Sequence, residues 1–209
     1  MPLVVMLPSS FMADLTAFVL VGGKSSRMGT DKALLELAGR TLLQHALEVV
    51  HAVSGDVRIV GAADKFSAFA PVVEDQYEGC GPLGGIHAAL AATSSPFNLV
   101  LAVDLPFIEA RFLQHLLAEA RSSNAVVTVP RAAGGLQPLC AVYRREFGLL
   151  AEQALAEGRN KIDALFAQIP VRIITEDELA RFAFSPTMFD NLNTREEWEQ
   201  ARRRLQAKA

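Results

Sequence analysis

The sequence predicts an α/β fold of three layers, α/β/α, with helices on both faces of a mostly parallel sheet. Short apolar runs rich in strand formers alternate with segments whose apolar residues recur at helical spacing. The runs "TAFVLV" (16–21) and "FNLVLAVD" (97–104) are apolar almost throughout, as central buried strands are. Hydrophobic residues make up 51% of the 209 positions and mean hydropathy is +0.24, which suits a sheet covered on both sides.

After the strand at 16–21, "TLLQHALEVVHAV" (41–53) carries the apolar stripe of an amphipathic helix. "DVRIVG" (56–61) and "APVVED" (70–75) read as strands, and "GIHAALAAT" (85–93) as a helix behind a Gly-Pro turn. The strand at 97–104 is followed by a helix over 109–121 and strands over 125–130 and 137–144. Helices over 145–157 and 161–168, a strand over 171–175 and a terminal helix over 194–208 complete the chain.

No repeat, low-complexity tract or Ser/Pro-rich linker divides the chain, so 16–209 is expected to be one domain. Residues 1–15 are expected to be an N-terminal extension, disordered or from a mis-assigned start, because Met12 opens "MADLTAFVLVGG". The early apolar patch has no Lys or Arg before it, so it does not read as a secretory signal. No apolar run reaches the ~18 residues of a membrane span. A net charge of −3 and pI near 5.8 provide no basic field, so neither nucleic acid nor membrane is an expected partner. Cys80 and Cys140 form no CxxC pattern and read as free thiols, which fits a cytoplasmic location.

In such sheets ligands bind beyond the carboxyl ends of the strands, where strand order reverses. Three loops following strands are unusual. In "VGGKSSRMGTDK", Gly22 and Gly23 let backbone amides face an anion, and Lys24, Arg27 and Lys32 gather positive charge that an anion would neutralise. Neither GxGxxG nor GxxxxGK[ST] is present, since Ala33 follows Lys32. In "EDQYEGCGPLGG", Asp75 ends a strand, and Gly81 and Pro82 belong to a tight loop that either faces a ligand or simply turns the chain into a helix. In "LVLAVDLPF", Asp104 closes an apolar strand, and a carboxylate there calls for a cation. Magnesium takes one or two carboxylates together with phosphate oxygens and water, so Asp104 is the expected metal ligand. His45, His51, His87 and His115 are scattered, and no Ser/His/Asp set is visible.

"LVGGKSSRMGTDKALL" resembles the L-x-[AG]-G-x-S-x-R-M-G-x-D-K signature of nucleotidyltransferases that transfer NMP to a cofactor or sugar phosphate. Within that group the chain is similar to the molybdenum cofactor guanylyltransferases. "VVEDQYEGCGPLGGIHAAL", "LVLAVDLPFI" and "DNLNTREEW" agree with them, and the likeness runs from about 16 to 200. The resemblance implies a Rossmann-like sheet of the nucleotide-diphospho-sugar transferase type. It implies GMP transfer from GTP to molybdopterin with Mg2+, and transient contact with molybdenum-insertion or acceptor enzymes. It assigns Arg27, Lys32 and Asp104 to catalysis. Leu20, Val21, Gly22, Gly23, Lys32, Asp75, Gly81, Pro82, Leu83 and Asp104 would bind the nucleotide. Gln137, Arg144, Asn191 and Asn193 would border the second substrate.

Thr194 and Glu197 also form a capping box, which accounts for Thr194 without any role in binding. Two features depart from the family pattern. Val21 stands where alanine is commoner, and "VRIVGAAD" lacks an asparagine often found near the nucleotide. Three alternatives stay open: a CTP-dependent cofactor cytidylyltransferase, a sugar-phosphate nucleotidyltransferase, and a non-catalytic nucleotide-binding chaperone of the cofactor.

Overall fold

The computed structural model describes residues 14–22, 31–77, 79–192 and 194–206. The chain opens with strand β1 (Leu15–Leu20), a short pair β2 (Glu36–Leu37) and β3 (Arg40–Thr41), and helix α1 (Leu42–His51). Next come β4 (Asp56–Val60), α2 (Ala63–Phe66), β5 (Val72–Val73), α3 (Pro82–Ala91), β6 (Phe97–Ala102) and α4 (Ala110–Ser122). The second half holds β7 (Val127–Ala132), β8 (Gly135–Leu136), β9 (Cys140–Arg144), α5 (Phe147–Ala156) and α6 (Ile162–Phe166). It ends with β10 (Val171–Ile174), α7 (Glu176–Arg181) and α8 (Arg195–Gln206).

The main sheet runs in the order β10-β7-β9-β6-β1-β4-β5, with β8 paired to β7. β1 pairs parallel with β4 on one side and with β6 on the other. β9 is antiparallel to both β6 and β7, so those two run in the same sense and β8–β9 is the reversed stretch of a mostly parallel sheet.

All six residues of β1 are buried, and they alternate between two cores. Leu15, Ala17 and Val19 join the core formed with α1 and α4, while Phe18 and Leu20 join the one formed with α3, α5 and α6. These two cores make the three layers. The α1 stripe, Leu42, Leu43, Ala46, Leu47 and Val50, is buried as its spacing predicts, and Thr41 with Gln44 closes a capping box at its start.

The chain moves from β1 through β4 to β5 on one side and then returns to lay β6 on the other. Strand order therefore reverses at β1, and the crevice beyond the carboxyl ends of β1 and β6 is where a ligand belongs.

Several elements differ from the expectation. The strand expected over 70–75 shrinks to Val72–Val73, because it is a sheet edge and Pro71 has no N–H to donate. The β2–β3 pair, α2, β8 and α7 are too short to leave a periodic pattern. β1 starts at Leu15, the last residue of the expected extension, and Asp14 beside it pairs with Arg121 at 2.7 Å. Residues 1–13 lie outside the described residues. Both cysteines are free, and burial in β9 pushes the Cys140 thiol far above its ordinary pKa. Among the described residues no helix is long and apolar enough to cross a membrane.

Candidate active site

β1 delivers the chain to the crevice between its two neighbours. The Val21 N–H donates to the Val60 carbonyl (3.1 Å) on the β4 side, and the Val103 N–H donates to the Leu20 carbonyl (3.1 Å) on the β6 side. Gly22 then emerges exposed, and among the described residues no atom lies within 4 Å of where its Cβ would be. Gly23, Lys24 and Arg27 lie outside the described residues. Leu20 and Val21 are buried, so only their backbone is left to meet a ligand.

The chain resumes at Asp31, whose carboxylate accepts the Ala33 N–H (3.2 Å) and caps a short 3-10 turn over Lys32–Leu34. Ala33 is fully buried, and the other oxygen of Asp31 pairs with Lys65 at 3.3 Å. Asp31 thus fixes the backbone from which Lys32 springs. Sequence reasoning missed this role, although the cap was readable from Asp31 standing two residues before Ala33.

Lys32 Nζ meets Asp104 Oδ2 at 2.9 Å, with the two side chains only 17% and 26% exposed. In this structure the carboxylate just beyond β6 has Lys32 as a cationic partner. Asp104 is held from behind as well: its carbonyl accepts the Leu192 N–H at 3.2 Å. Leu192 is buried, which docks residues 190–192 on the Asp104 turn and puts Asn191, exposed, next to it. Asn193 lies outside the described residues. The Thr194–Glu197 capping box forms as expected, with the Thr194 N–H donating to Glu197 Oε2 (2.8 Å) and the Glu197 N–H to Thr194 Oγ1 (3.2 Å).

On the β5 side, Asp75 Oδ1 accepts the Tyr77 N–H (2.8 Å). A methyl group at Gly84 would lie 2.7 Å from Asp75 Oδ2 and 3.0 Å from the Tyr77 carbonyl, so only glycine lets the first turn of α3 approach this closely. Gly81 and Pro82 are exposed at the start of α3, whereas Leu83 is fully buried beneath them and can offer a ligand only its backbone. The two departures from the family pattern touch each other: a Cβ at Gly61 would lie 2.3 Å from Val21 Cγ2. Gly61 is what makes room for Val21.

Gln137 lies in the turn before β9, its amide donating to the Ala132 carbonyl at the end of β7 (3.0 Å). The adjoining Leu139 carbonyl accepts the Ala102 N–H, so this turn borders the same crevice as Asp104. Arg144 does not belong to the site. It pairs with Phe97 at the start of β6, the opposite end of the strands from Asp104, because β9 runs antiparallel to β6. There its guanidinium donates to the Ala125 and Ser123 carbonyls (2.9 and 2.8 Å) and packs on the Phe97 ring.

The histidines stand on helices. His45 bonds the Leu37 carbonyl, and His115 lies against Phe182. His87 is buried edge-on to Tyr77, and His51 is exposed. Among the described residues no cluster of three or more His, Cys, Asp or Glu could hold a metal. Asp104 is, among the described residues, the carboxylate that lies just beyond β6, against Lys32. That donor set fits a magnesium ion arriving with a polyphosphate better than an ion caged by protein.

An exposed glycine at a strand end, a lysine on an aspartate and a glycine-lined loop lie around one switch point, and the fold is that of the nucleotidyltransferases of the nucleotide-diphospho-sugar transferase type. The chain belongs to the family described as the MobA-like NTP transferase domain, whose model matches residues 17–173. It is 33% identical over 199 residues to the molybdenum cofactor guanylyltransferase of Desulfosudis oleivorans, covering 94% of this chain and 98% of that one. The crystal structure of molybdopterin-guanine dinucleotide biosynthesis protein A from Archaeoglobus fulgidus superposes with a TM-score of 0.81 at 28% identity, covering 93% of this chain and 100% of that one. CMP:2-keto-3-deoxy-manno-octonic acid synthetase, solved with CTP, shares the fold alone, with a TM-score of 0.72 at 13% identity over 94% of this chain and 100% of that one.

Proposed function

We propose that this protein transfers GMP from GTP to the phosphate of molybdopterin, giving molybdopterin guanine dinucleotide and pyrophosphate. The observation that carries it is the meeting of Lys32 and Asp104 at the strand-order reversal, in a chain similar over nearly its whole length to a molybdenum cofactor guanylyltransferase. A terminal phosphate oxygen of molybdopterin attacks the α-phosphorus of GTP. The new P–O bond forms as the bond to the β-phosphate oxygen breaks, and pyrophosphate leaves.

Attacker and target are both anions, so the protein's task is to position them and neutralise charge. The amides of Gly22 and Gly23 cradle phosphate oxygens, with the backbone of Leu20 and Val21 behind them. Lys32 and Arg27 carry the β- and γ-phosphates and the charge that grows on pyrophosphate. Asp75 and the Gly81–Leu83 backbone lie beside base and ribose, where a carboxylate accepts the N1–H and N2–H2 of guanine. Gln137, Asn191 and Asn193 border the pterin side. Asp104 would hold Mg2+, which when bound supplies further neutralisation of the α-phosphate. No side-chain nucleophile is required. Delivery of the product involves transient contact with molybdenum-insertion or acceptor enzymes, in the cytoplasm.

The test is pyrophosphate release from GTP, CTP, ATP or UTP in the presence of molybdopterin and magnesium, paired with thermal shifts for each nucleotide. GTP should give both the fastest release and the largest shift, since a specific ligand in excess stabilises the fold by a few kcal/mol, at roughly 2.7 kcal/mol for a hundredfold excess over Kd. Faster turnover with CTP would replace guanylyl with cytidylyl transfer. Nucleotide binding without pyrophosphate release would leave a binding protein.

A further inference from the structure

The family match ends at residue 173, yet the segment beyond it is tied to the Asp104 turn at two points. One is the backbone bond from Leu192 N–H to the Asp104 carbonyl. The other is Arg204, near the end of α8. Its guanidinium packs on the ring of Phe107, with 4.2 Å from the guanidinium carbon to the ring centroid. From there it donates to the Thr187 carbonyl (3.0 Å), to Thr187 Oγ1 (2.6 Å) and to Asp190 Oδ2 (3.3 Å).

Phe107 is three residues past Asp104 on the same turn, and Thr187 and Asp190 precede Asn191 on the strap that crosses it. One side chain therefore spans the turn that carries the catalytic carboxylate and the strap that carries Asn191. A surface arginine with a single carboxylate partner contributes little. A planar guanidinium stacked on a ring while donating to three oxygens is fixed in orientation.

We infer that Arg204 is a positioning residue for the acceptor substrate: stacked on Phe107 and bonded to Thr187 and Asp190, it holds the 187–192 strap in register with Asp104. This rests on the proposed transfer to molybdopterin. Arg204 lies on the β6 side, away from Asp75 and the α3 loop, so its removal should loosen the acceptor side and leave GTP binding alone.

The experiment compares wild type with Arg204→Ala, Arg204→Lys and Phe107→Leu in steady-state kinetics with GTP and molybdopterin, alongside GTP binding by calorimetry. Trp198, the single tryptophan and a half-buried residue of α8, reports strap docking through acrylamide quenching of its fluorescence. Arg204→Ala should raise KM for molybdopterin at least fivefold, keep the Kd for GTP within twofold, and increase quenching. Arg204→Lys keeps the charge on the ring but not the fork, and should fall between the two. The double variant with Phe107→Leu should lose less than the product of the single losses. If Arg204→Ala fails to fold, the Lys and Phe107→Leu variants carry the same comparison. Unchanged KM for molybdopterin in every folded variant, or an equal rise for both substrates, would overturn the inference. A wild-type protein that binds GTP but does not turn over molybdopterin would refute the proposed function instead; Arg204 would then stand or fall on the Trp198 quenching.

Discussion

Lys32 and Asp104 stand 72 positions apart in the chain, and their side chains meet at 2.9 Å where β1 and β6 leave the sheet. Before any substrate arrives, the strand-end carboxylate is partnered by the same lysine that the proposed mechanism assigns to the triphosphate. Under the proposed mechanism Lys32 would turn toward phosphate when the nucleotide binds, leaving Asp104 to hold a cation.

Asp104→Asn keeps the shape of the side chain and a hydrogen bond to Lys32 but removes the charge. Its rate should fall by two orders of magnitude or more, about 2.7 kcal/mol in the barrier, at a near-native melting temperature. The measurement is kcat across a magnesium titration. Near wild-type turnover at limiting magnesium would eliminate Asp104 as the metal ligand.

Among the cations of the first loop, Lys32→Ala should cost most, Arg27→Ala less, and Lys24→Ala little. Lys32→Ala also strips a half-buried carboxylate of this partner, so its stability should drop by about 1 kcal/mol. Adding Asp104→Asn should recover part of that loss, with a coupling of roughly 0.5 kcal/mol or more in a denaturation cycle. Strict additivity would mean the ion pair contributes nothing to the fold. Equal, minor kinetic effects from all three alanines would reduce the cluster to a solvated face.

Gly84→Ala probes the seat of Asp75. The added methyl would lie 2.7 Å from the carboxylate, so Asp75 must move. The expected result is a weaker Kd for GTP by at least fivefold, with a stability loss of about 1–3 kcal/mol from overpacking. Discrimination between GTP and CTP should narrow. Unchanged GTP affinity and selectivity would detach Asp75 from base recognition.

Acid sensitivity should come in part from the corner where β10 meets α7. Arg172 joins Glu178 (2.5 Å) and Glu119 (2.7 Å), and its hydrogen bonds to Glu178, followed by the Thr175 N–H, hold the Glu178 carboxyl down to about 2. A carboxyl lowered on folding resists protonation in the native state. Its stabilisation is full above the ordinary value of 4.5 and is lost as pH falls toward about 2. Glu178→Gln retains the cap on α7, and should flatten the fall in stability between about pH 5 and 2 by roughly 1 kcal/mol after solvent screening. Chemical denaturation at several pH values measures it, and an unchanged slope would mean the pair does not act in solution.

The order of strands and helices was legible because a sheet covered on both faces demands apolar residues at nearly every strand position, as "TAFVLV" and "FNLVLA" show. The location of the candidate site was legible for the complementary reason. Gly22 and Asp104 end runs that are apolar at nearly every position, so they stand out as exceptions. The cap at Thr194 was equally plain, since it depends on residues three apart, whereas the one at Thr41 emerged with the structure. What the sequence did not determine is everything that depends on how strands are laid side by side. Arg144 closes an apolar run just as Asp104 does, but β9 runs antiparallel to β6, and that carries the arginine to the opposite end of the strands. Nothing local to either residue encodes that direction. The pairing of Lys32 with Asp104, the room Gly61 makes for Val21 and the reach of Arg204 to Phe107 likewise arise from packing between distant segments. They exist only once the sheet order is set and the two cores have closed around it.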